Sequence, residues 1–331
     1  MAGTQNGDGV VRNGAAPGQP LLTRRAFVLG GAALVVAAFA GWVAWGNAAL
    51  EATRLTVESA RVPAAFDGFR IAHVSDLHNA QFGSGNADLL GLLREAEPDL
   101  VAVTGDLVDS RRTDYDVAAS FAEGAAALAP TLYVAGNHEA RIMRRDPEGY
   151  GSYEQRLAAS GVLALRNEVH AVERAGSALA VLGADDPSVR AASVVRADAT
   201  RTDADVMRDR LAGLVSQAGS LTDGSGNGDA PFTLLLSHRP ELFDVYVEAG
   251  IDLTLAGHAH GGQVRLPFVG GVLAPNQGFF PKYDAGLFVE GEGGETPAAM
   301  AVSRGLGNSA FPFRVNNRPE LVLVELRRAK G

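Results

Sequence analysis

The sequence predicts an α/β fold built from two β-sheets that stack face to face. In the first half of the chain, short apolar segments typical of strands alternate with segments that have the apolar spacing of helices. Such alternation is typical of a mostly parallel sheet whose faces are covered by helices. The second half is richer in strand-like segments, and a second sheet packed against the first would bury them.

The first half contains three predicted strands and two predicted helices. Residues 70–75 form a short run of strand-forming residues, and 86–96 carry four leucines at helical spacing. Residues 99–104 contain the apolar run Leu-Val-Ala-Val, 115–128 form an alanine-rich helix, and 131–135 form the next strand.

The second half contains five predicted strands and one clear helix. The strands are 178–182, 233–236, 253–256, 299–303 and 321–326, and the helix is 204–217. Residues 219–230 are rich in Gly, Ser, Asn and Asp and predict a flexible surface loop. We do not place a domain boundary in that loop, because residues on both sides of it must meet in one site, as argued below.

Residues 1–50 are predicted to be an export segment. The first twenty residues are small and polar and cannot bury enough surface to order themselves, so 1–25 is interpreted as a disordered tail that ends in Arg24-Arg25. An uncharged run of 20 residues follows at 26–45, which is long enough to span a bilayer. The arginine pair before this Gly/Ala-rich run resembles a twin-arginine signal, and an ordinary membrane anchor at 26–50 is the alternative.

Both interpretations of the leader place the rest of the chain outside the cytoplasm. Ala38-Phe39-Ala40 offers a small-residue cleavage site, whereas Trp42 and Trp45 would lie at the membrane interface if the leader stayed uncut. We therefore predict an extracytoplasmic protein, membrane-anchored or secreted to the cell wall or periplasm. Its predicted partners are the export machinery and, through residues 26–45 if uncleaved, the membrane.

Composition excludes several classes of function. The chain has no cysteine, which excludes disulfides, a thiolate nucleophile and any Cys-ligated zinc or iron–sulfur site. The net charge is −9, and residues 1–50 hold three arginines and one aspartate, so the remainder carries −11. We expect no nucleic-acid-binding surface on so acidic a domain.

Five short polar clusters follow predicted strands, where α/β sheets place their sites. They are Asp76-Leu77-His78, Gly105-Asp106, Gly136-Asn137-His138-Glu139, Ser237-His238 and Gly257-His258-Ala259-His260. Five of the seven histidines of the chain fall inside these clusters. Each cluster taken singly is more often a turn or a surface pair, but the five together predict a metal site.

Residue spacing predicts how two of the clusters present their side chains. Asp76 and His78 are two residues apart, so both side chains leave the same face of an extended segment, and the same holds for His258 and His260. Each pair is therefore predicted to hold a metal from one side.

The other clusters suggest a shared ligand and a residue beside the substrate. Asp106 follows a glycine that lets the backbone turn sharply, and its two oxygens could bridge two ions. Asn137 and His138 are adjacent and point in different directions from an extended backbone, so only one of them is expected to bind a given ion. Imidazole, carboxylate and amide donors suit Mn, Fe, Zn or Co better than Ca or Mg.

The order of the five clusters resembles the pattern of the calcineurin-like metallophosphoesterases, which runs Asp-x-His, Gly-Asp, Gly-Asn-His-Glu/Asp, a lone His and Gly-His-x-His. All five blocks are present here in that order, and the resemblance covers residues 65–328 as one metallophosphoesterase domain. The stretches at 257–267, 280–286 and 303–308 are similar to the exported or membrane-attached bacterial branch, which includes phosphodiesterases and enzymes likened to lipid-precursor pyrophosphatases. The resemblance implies a four-layer αββα sandwich.

The resemblance also implies two divalent ions, Mn, Zn or Fe, and a role for each motif residue. One ion would take Asp76, His78, Asp106 and His260, and the second would take Asp106, Asn137, His238 and His258. His138 is left beside the substrate as a proton donor. The implied activity is hydrolysis of a phosphate-ester substrate, a phosphodiester or pyrophosphate at the cell surface. The alternative is a metal-binding, wall- or membrane-associated adaptor without turnover, which the retained His138 disfavours.

Overall fold

The computed structural model describes residues 24–190, 200–221, 230–291, 297–308 and 310–329. Most of the tail interpreted at 1–25 and most of the loop interpreted at 219–230 lie outside these residues. Residues up to Trp42 and residues from Val43 onward form two separate compact units.

The first sheet combines the strands of the first half with both ends of the domain. Its strands are β1 (Glu51–Ser59), β2 (Arg70–Val74), β3 (Leu100–Val103), β4 (Thr131–Tyr133), β5 (Val162–Ala164) and β16 (Glu320–Arg328). They are ordered β1–β16–β2–β3–β4–β5, and all neighbours are parallel except β16 and β2. Strand β1, which the sequence analysis did not predict, lies before residue 65 and extends this sheet.

The second sheet is built from the strands of the second half. Its strands are β6 (Glu168–Arg174), β7 (Ser177–Gly183), β8 (Phe232–Leu236), β9 (Leu253–Ala256), β14 (Gly286–Glu290) and β15 (Ala298–Val302). The order is β14–β15–β9–β8–β7–β6, with a parallel centre and an antiparallel strand at each edge. Two short hairpins follow β9, formed by β10 (Arg265–Leu266), β11 (Gly270–Gly271), β12 (Leu273–Ala274) and β13 (Gly278–Phe279).

Seven helices are described, of which all but α1 connect strands of the two sheets. They are α1 (Arg24–Ala48), α2 (Ala87–Ala96), α3 (Tyr115–Ala126), α4 (Asn137–Arg145), α5 (Pro147–Ala159), α6 (Asp203–Ala218) and α7 (Phe243–Glu248). Single 3₁₀ turns are formed by Ala64–Phe66, Ser84–Asn86, Pro240–Leu242 and His260–Gly262. Helix α1 has a mean hydropathy of 2.2 and no buried residues in its apolar window, so by length and composition it could cross a membrane.

Side-chain caps define where two of the connecting helices begin. The Asp114 carboxylate accepts hydrogen bonds from the backbone N–H groups of Asp116 and Val117 at the start of α3. Thr202 and Asp205 form a reciprocal capping box at the start of α6. These local signals explain why both helices begin close to the residues where the sequence predicts them.

Three separate apolar layers give the domain its four-layer αββα architecture. The middle layer lies between the sheets and joins residues such as Ile71 and Val324 of the first sheet to Val181 and Leu255 of the second. The outer layers pack the first sheet against α2, α3 and α5, and the second sheet against α6 and α7. Successive side chains of a strand point to opposite faces, so each sheet supplies two layers. The predicted four-layer sandwich is confirmed.

Candidate metal centre

The structure brings the five predicted clusters together at one edge of the sandwich. They follow β2, β3, β4, β8 and β9, whose carboxyl ends lie side by side because these strands are parallel within their sheets. The residues predicted as metal ligands or proton donor are all buried: Asp76, His78, Asp106, Asn137, His138, His238, His258 and His260.

The backbone conformation at the cluster residues differs from the one that the sequence analysis assumed. Strand β2 ends at Val74, and Asp76 and His78 have φ values of 54° and 47°, in the left-handed region. His258 and His260 have φ values of 63° and 48°. The assumption of extended segments was therefore wrong, and sharp turns rather than pleated strands aim these side chains. A backbone hydrogen bond stabilises the turn at Asp76, whose N–H donates to the carbonyl of Gly105 at 3.0 Å.

Side-chain donor atoms converge in two main groups. Asp76, His78 and His260 form one, and Asp106, His238 and His258 form the other, with the donor atoms of each group within 4.8 Å of one another. His258 and His260 therefore fall into different groups. The prediction from spacing that these two histidines hold one metal from the same side is wrong, because the backbone at His258 and His260 is left-handed and not extended.

Asp106 lies between the two groups. Its Oδ2 is 3.6 Å from Nε2 of His78 and 3.2 Å from Nε2 of His238. Its Oδ1 accepts a hydrogen bond from the backbone N–H of His138 at 2.8 Å. The carboxylate thus has one oxygen held by the protein and one directed toward donors of both groups.

Two glycines allow the Asp106 loop to approach the start of α4 closely. Gly105 has a φ of +92°, and a Cβ there would lie 2.5 Å from the backbone nitrogen of Gly136. A Cβ on Gly136 would lie 2.3 Å from Oδ1 of Asp106. The glycines of the Gly-Asp and Gly-Asn-His-Glu motifs are therefore required by the contact between the two loops.

Asn137 and His138 are the first residues of α4 and not part of an extended segment. The extended backbone assumed for them is a second error, although adjacent residues on a helix also point in different directions. Asn137 faces the second group of donors, with its side-chain oxygen 3.1 Å from Nε2 of His238. His138 instead lies close to Asp106 and His78.

Hydrogen bonds decide which ring nitrogen of two histidines carries the proton. Nδ1 of His238 lies 2.7 Å from the carbonyl oxygen of Thr104, so it carries a proton and donates it. In the neutral ring Nε2 of His238 then keeps a lone pair, the tautomer that metal ligation requires. In His138 the backbone N–H of Ser110 donates to Nδ1 at 2.9 Å, so Nε2 carries the proton. Proton donation requires the imidazolium form. Burial opposes a second proton on His138, but Asp109, 3.6 Å from Nδ1, outweighs it and raises the pKa of this ring.

The Asn137 amide can be placed in two orientations. With its oxygen toward the site, oxygen and imidazole lone pairs converge, which is favourable only around a cation. With the amide reversed, its nitrogen donates to His238 and His258 and its oxygen accepts from Arg141 at 3.2 Å. The first orientation is the one that metal binding requires.

The electrostatic field of the site favours positive charge. Burial opposes ionisation of Asp106, but the neighbouring His238 ring outweighs it and holds the pKa of this carboxyl well below its usual value. Burial likewise opposes a proton on His238, yet Asp106 raises the pKa of this imidazole to about 10. Asp76 and Asp106 are both buried carboxylates. Their negative charge demands a compensating positive charge, which a proton on His238 or a divalent cation could supply.

Asp76 provides an independent observation that a cation fits. Its Oδ2 accepts from Ser75 Oγ and from the backbone N–H of His258, at 2.7 and 3.0 Å. Its Oδ1 is buried and has no hydrogen-bond partner among the described residues, although Nε2 of His260 lies 3.4 Å away. Buried carboxylate oxygens are rarely left unpaired. Burial also lowers the pKa of His260 to about 3, so this ring is neutral and can act as a ligand.

Three residues that support the site were not identified as such from the sequence. Glu139 accepts hydrogen bonds from the backbone N–H groups of Asp106, Val108 and Gly136 at 2.8, 3.1 and 3.0 Å, and so joins the two loops. Its position at the third residue of α4, a capping-box position, is a signal that could have found it. Asp109 lies 3.6 Å from Nδ1 of His138, and Arg314 lies 3.4 Å from Nδ1 of His260. No local motif marks Arg314, which comes from a distant loop.

A cavity of about 370 Å³ opens over the donor atoms. Its floor includes Asp106 and His138, and its walls include the three arginines Arg111, Arg141 and Arg239. Apolar side chains also line the cavity, together with the polar Gln263 and Asn276: Leu273, Ala274, Pro275, Ala310 and Phe311. The cavity therefore combines cationic and apolar surfaces above a cluster of metal-type donors, which suits an anionic molecule with an apolar part.

Comparison with known proteins agrees with this site. The family model of the calcineurin-like phosphoesterases matches residues 69–262. The chain is 28% identical to the uncharacterized metallophosphoesterase YkuE of Bacillus subtilis, over 84% of this chain and 86% of that protein. It is 27% identical to the phosphodiesterase YaeI of Escherichia coli, over 78% and 82% of the two chains. A transmembrane protein with a metallophosphoesterase domain from Danio rerio is 26% identical, over 81% of this chain and 55% of that protein.

The matched region contains all five motif clusters and covers more than half of the chain. The αββα layers, the converging carboxylate and imidazole donors and the matched relatives lead to one assignment. The chain belongs to the calcineurin-like phosphoesterase family and is a metal-dependent hydrolase of phosphoester bonds.

Proposed function

We propose that this chain is a phosphodiesterase or pyrophosphatase that acts outside the cytoplasm through a dinuclear metal site. The observation that carries the proposal is the position of Asp106, whose Oδ2 faces donors of both groups. The relative from Escherichia coli is named a phosphodiesterase, which supports the diester substrate.

The donor atoms fit two divalent ions of the Mn, Zn or Fe type. Asp76, His78 and His260 would hold the first ion together with Asp106. Asn137, His238 and His258 would hold the second, again with Asp106. Two observations support this assignment: Oδ1 of Asp76 is unpaired, and the Nδ1 hydrogen bond of His238 to Thr104 leaves Nε2 as the ring nitrogen on the side of the site.

Two divalent ions, when bound, supply Lewis-acid activation of water and neutralise phosphate charge. In the hydrolysis a water oxygen forms a new bond to phosphorus, the bond to the leaving oxygen breaks, and that oxygen takes up a proton. His138 in its imidazolium form would donate this proton from Nε2 and become neutral, with the Asp109 carboxylate 3.6 Å from the Nδ1 that keeps its hydrogen. Asp109 and Glu139 keep the ring and the Asp106 loop in position, while Arg111 and Arg141 on the cavity wall attract the anionic substrate.

Hydrolysis of bis-p-nitrophenyl phosphate by the full-length protein tests the proposal. We expect activity in the presence of Mn²⁺, loss of activity after chelation, and recovery when Mn²⁺ is added back. His170→Ala is the matched control, since His170 lies on β6 outside the clusters, and it should behave like the wild type. Two bound ions per chain without turnover of diesters or pyrophosphates would favour the adaptor without catalytic activity.

The proposed location rests on α1. This helix could cross a membrane by length and composition, and the Danio rerio relative is named a transmembrane protein. We propose that Arg24 and Arg25 before the apolar run address the chain to the twin-arginine export machinery. Residues 26–50 would then act as the export or anchor segment, and 65–328 as the phosphoesterase domain.

Replacing both arginines tests this route. The double variant Arg24→Lys and Arg25→Lys is expected to remain in the cytoplasm, because the twin-arginine receptor requires the arginine pair and not only its charge. The measurement is the fraction of protein accessible to external protease in intact cells, with Arg12→Lys as the control. Normal export of the double variant would mean that a general secretory anchor is used instead.

A further inference from the structure

Exposed apolar side chains concentrate in two segments, 263–283 and 310–319, which together we term the apolar rim. Among the described residues beyond α1, ten large apolar side chains are exposed, and eight of them belong to the rim. Phe268 is fully exposed, and Phe279 and Phe280 are 73% and 63% exposed. Soluble monomers rarely expose so many neighbouring apolar groups, and such patches mark interaction surfaces.

The two segments form one continuous surface. Val264 and Val315 pair as an isolated parallel bridge. The N–H of Arg265 donates to the carbonyl of Val315 at 3.0 Å, and the N–H of Val315 donates to the carbonyl of Gln263 at 3.3 Å. The aromatic residues of both segments are therefore carried by a single hydrogen-bonded unit.

The rim also borders the cavity of the candidate metal centre. Leu273, Pro275 and Phe311, which belong to the rim, line the same cavity as His258 and His260. A molecule bound in this cavity would therefore contact both apolar rim side chains and metal-type donors.

Residues 45–49 contact the rim. The side chain of Asn47 accepts from the N–H of Arg314 at 2.8 Å and donates to the carbonyl of Arg314 at 2.9 Å. The guanidinium of Arg318 lies 5.2 Å from the ring centre of Trp45, and its Nε donates to the carbonyl of Ala49 at 2.9 Å. All of these residues belong to the compact unit that begins at Val43. The rim is therefore held by hydrogen bonds to Asn47 and Ala49.

The rim segments are basic in composition, although Arg265 pairs with Asp284 at 2.8 Å, Lys282 pairs with Glu290 at 3.1 Å, and Arg314 is buried. The whole chain contains 38 acidic residues, yet the two rim segments contain none, whereas they carry Arg265, Lys282, Arg314 and Arg318. Exposed aromatic residues beside cations suit the boundary between acyl chains and phosphate headgroups.

We propose that the apolar rim lies in the headgroup region of a lipid bilayer and that the site hydrolyses the phosphodiester headgroup of a membrane amphiphile. This inference rests on the proposed function and names its substrate class. The apolar part of the substrate would remain near Phe268 and Phe280, while its phosphate would reach the donors below. Water would add its oxygen to phosphorus, the headgroup alcohol would leave with a proton, and a phosphomonoester lipid would remain.

A spin label tests the position of the rim. The chain has no cysteine, so Phe268→Cys in the full-length protein gives a single labelling site in phosphatidylcholine vesicles. We expect the nitroxide at residue 268 to collide with oxygen dissolved in the lipid and to be shielded from a water-soluble nickel chelate. Leu163→Cys is the control, because Leu163 is an exposed apolar residue on β5, at the sheet edge opposite β1. Equal accessibility of both labels to the nickel chelate would overturn the proposal.

Kinetics with two substrates tests the substrate class. The triple variant Phe268→Ser, Phe279→Ser and Phe280→Ser changes rim residues that do not line the cavity. In the same vesicles we expect it to hydrolyse bis-p-nitrophenyl phosphate like the wild type. On the p-nitrophenyl diester of dioleoyl phosphatidic acid embedded in the vesicle, kcat/KM should fall about tenfold or more, because three aromatic contacts with the lipid are lost.

The two substrates also separate the two proposals. A wild-type protein that hydrolyses neither diester contradicts the proposed function itself. A triple variant whose activity on the embedded diester falls no more than its activity on the soluble one contradicts the rim proposal and leaves the phosphodiesterase intact. Val289→Ser is the matched control, since Val289 is exposed to 59% but lies outside the rim.

Discussion

Asp106→Asn is expected to remove both bound metal and catalytic activity while the protein stays folded. An asparagine at this position keeps one oxygen, which can still accept the backbone N–H of His138. Its amide nitrogen would then take the place of Oδ2, which faces Nε2 of both His78 and His238. A neutral N–H donor cannot bind a cation, so both groups of ligands would lose the residue they share.

The experiment measures the metal content per chain by elemental analysis, together with hydrolysis of bis-p-nitrophenyl phosphate. Asp209→Asn is the control, because the Asp209 carboxylate is 70% exposed on α6 and should retain metal and activity. A cooperative thermal unfolding transition near that of the wild type verifies the fold. Two ions per chain in the folded Asp106→Asn protein would contradict the bridging role.

His138→Ala is expected to lower turnover by about 10² to 10⁴ fold, the range that general acid catalysis commonly supplies. Metal content should remain close to that of the wild type, because His138 is proposed to act on the leaving group and not on the ions. The transfer requires the imidazolium form of His138, which Asp109 favours because it lies 3.6 Å from Nδ1 and raises the pKa of the ring.

The dependence of this loss on the leaving group distinguishes a proton donor from a fixed hydrogen-bonding group. An alkyl leaving group needs a proton, so an alkyl phosphodiester should show the full loss, whereas p-nitrophenolate leaves readily as an anion and should show a smaller one. Equal losses on both esters would indicate that His138 binds a phosphate oxygen instead. His170→Ala serves again as the control for removal of an imidazole.

Much of the fold and of the donor set could be predicted from the sequence, because both depend on local patterns. The alternation of strands and helices, together with the strand-rich second half, predicts two stacked sheets, and the three apolar layers confirm them. Strands as short as β5, and the edge strand β1, were missed because a brief or half-exposed segment carries little periodic signal. The site residues could be identified from the sequence because each follows a predicted strand.

Only the tertiary structure decided how these residues combine. His258 and His260 are two residues apart, yet left-handed turns place them in different groups, and spacing along an assumed strand cannot foresee a positive φ. Glu139 accepts the backbone N–H of Asp106, and Arg314 contacts His260. Both interactions join segments that are far apart in the chain. The sequence by itself therefore determined the chemistry, since donor types are properties of single residues. The structure decided the grouping, the tautomers and the apolar rim, since these depend on distances between residues that only folding brings together.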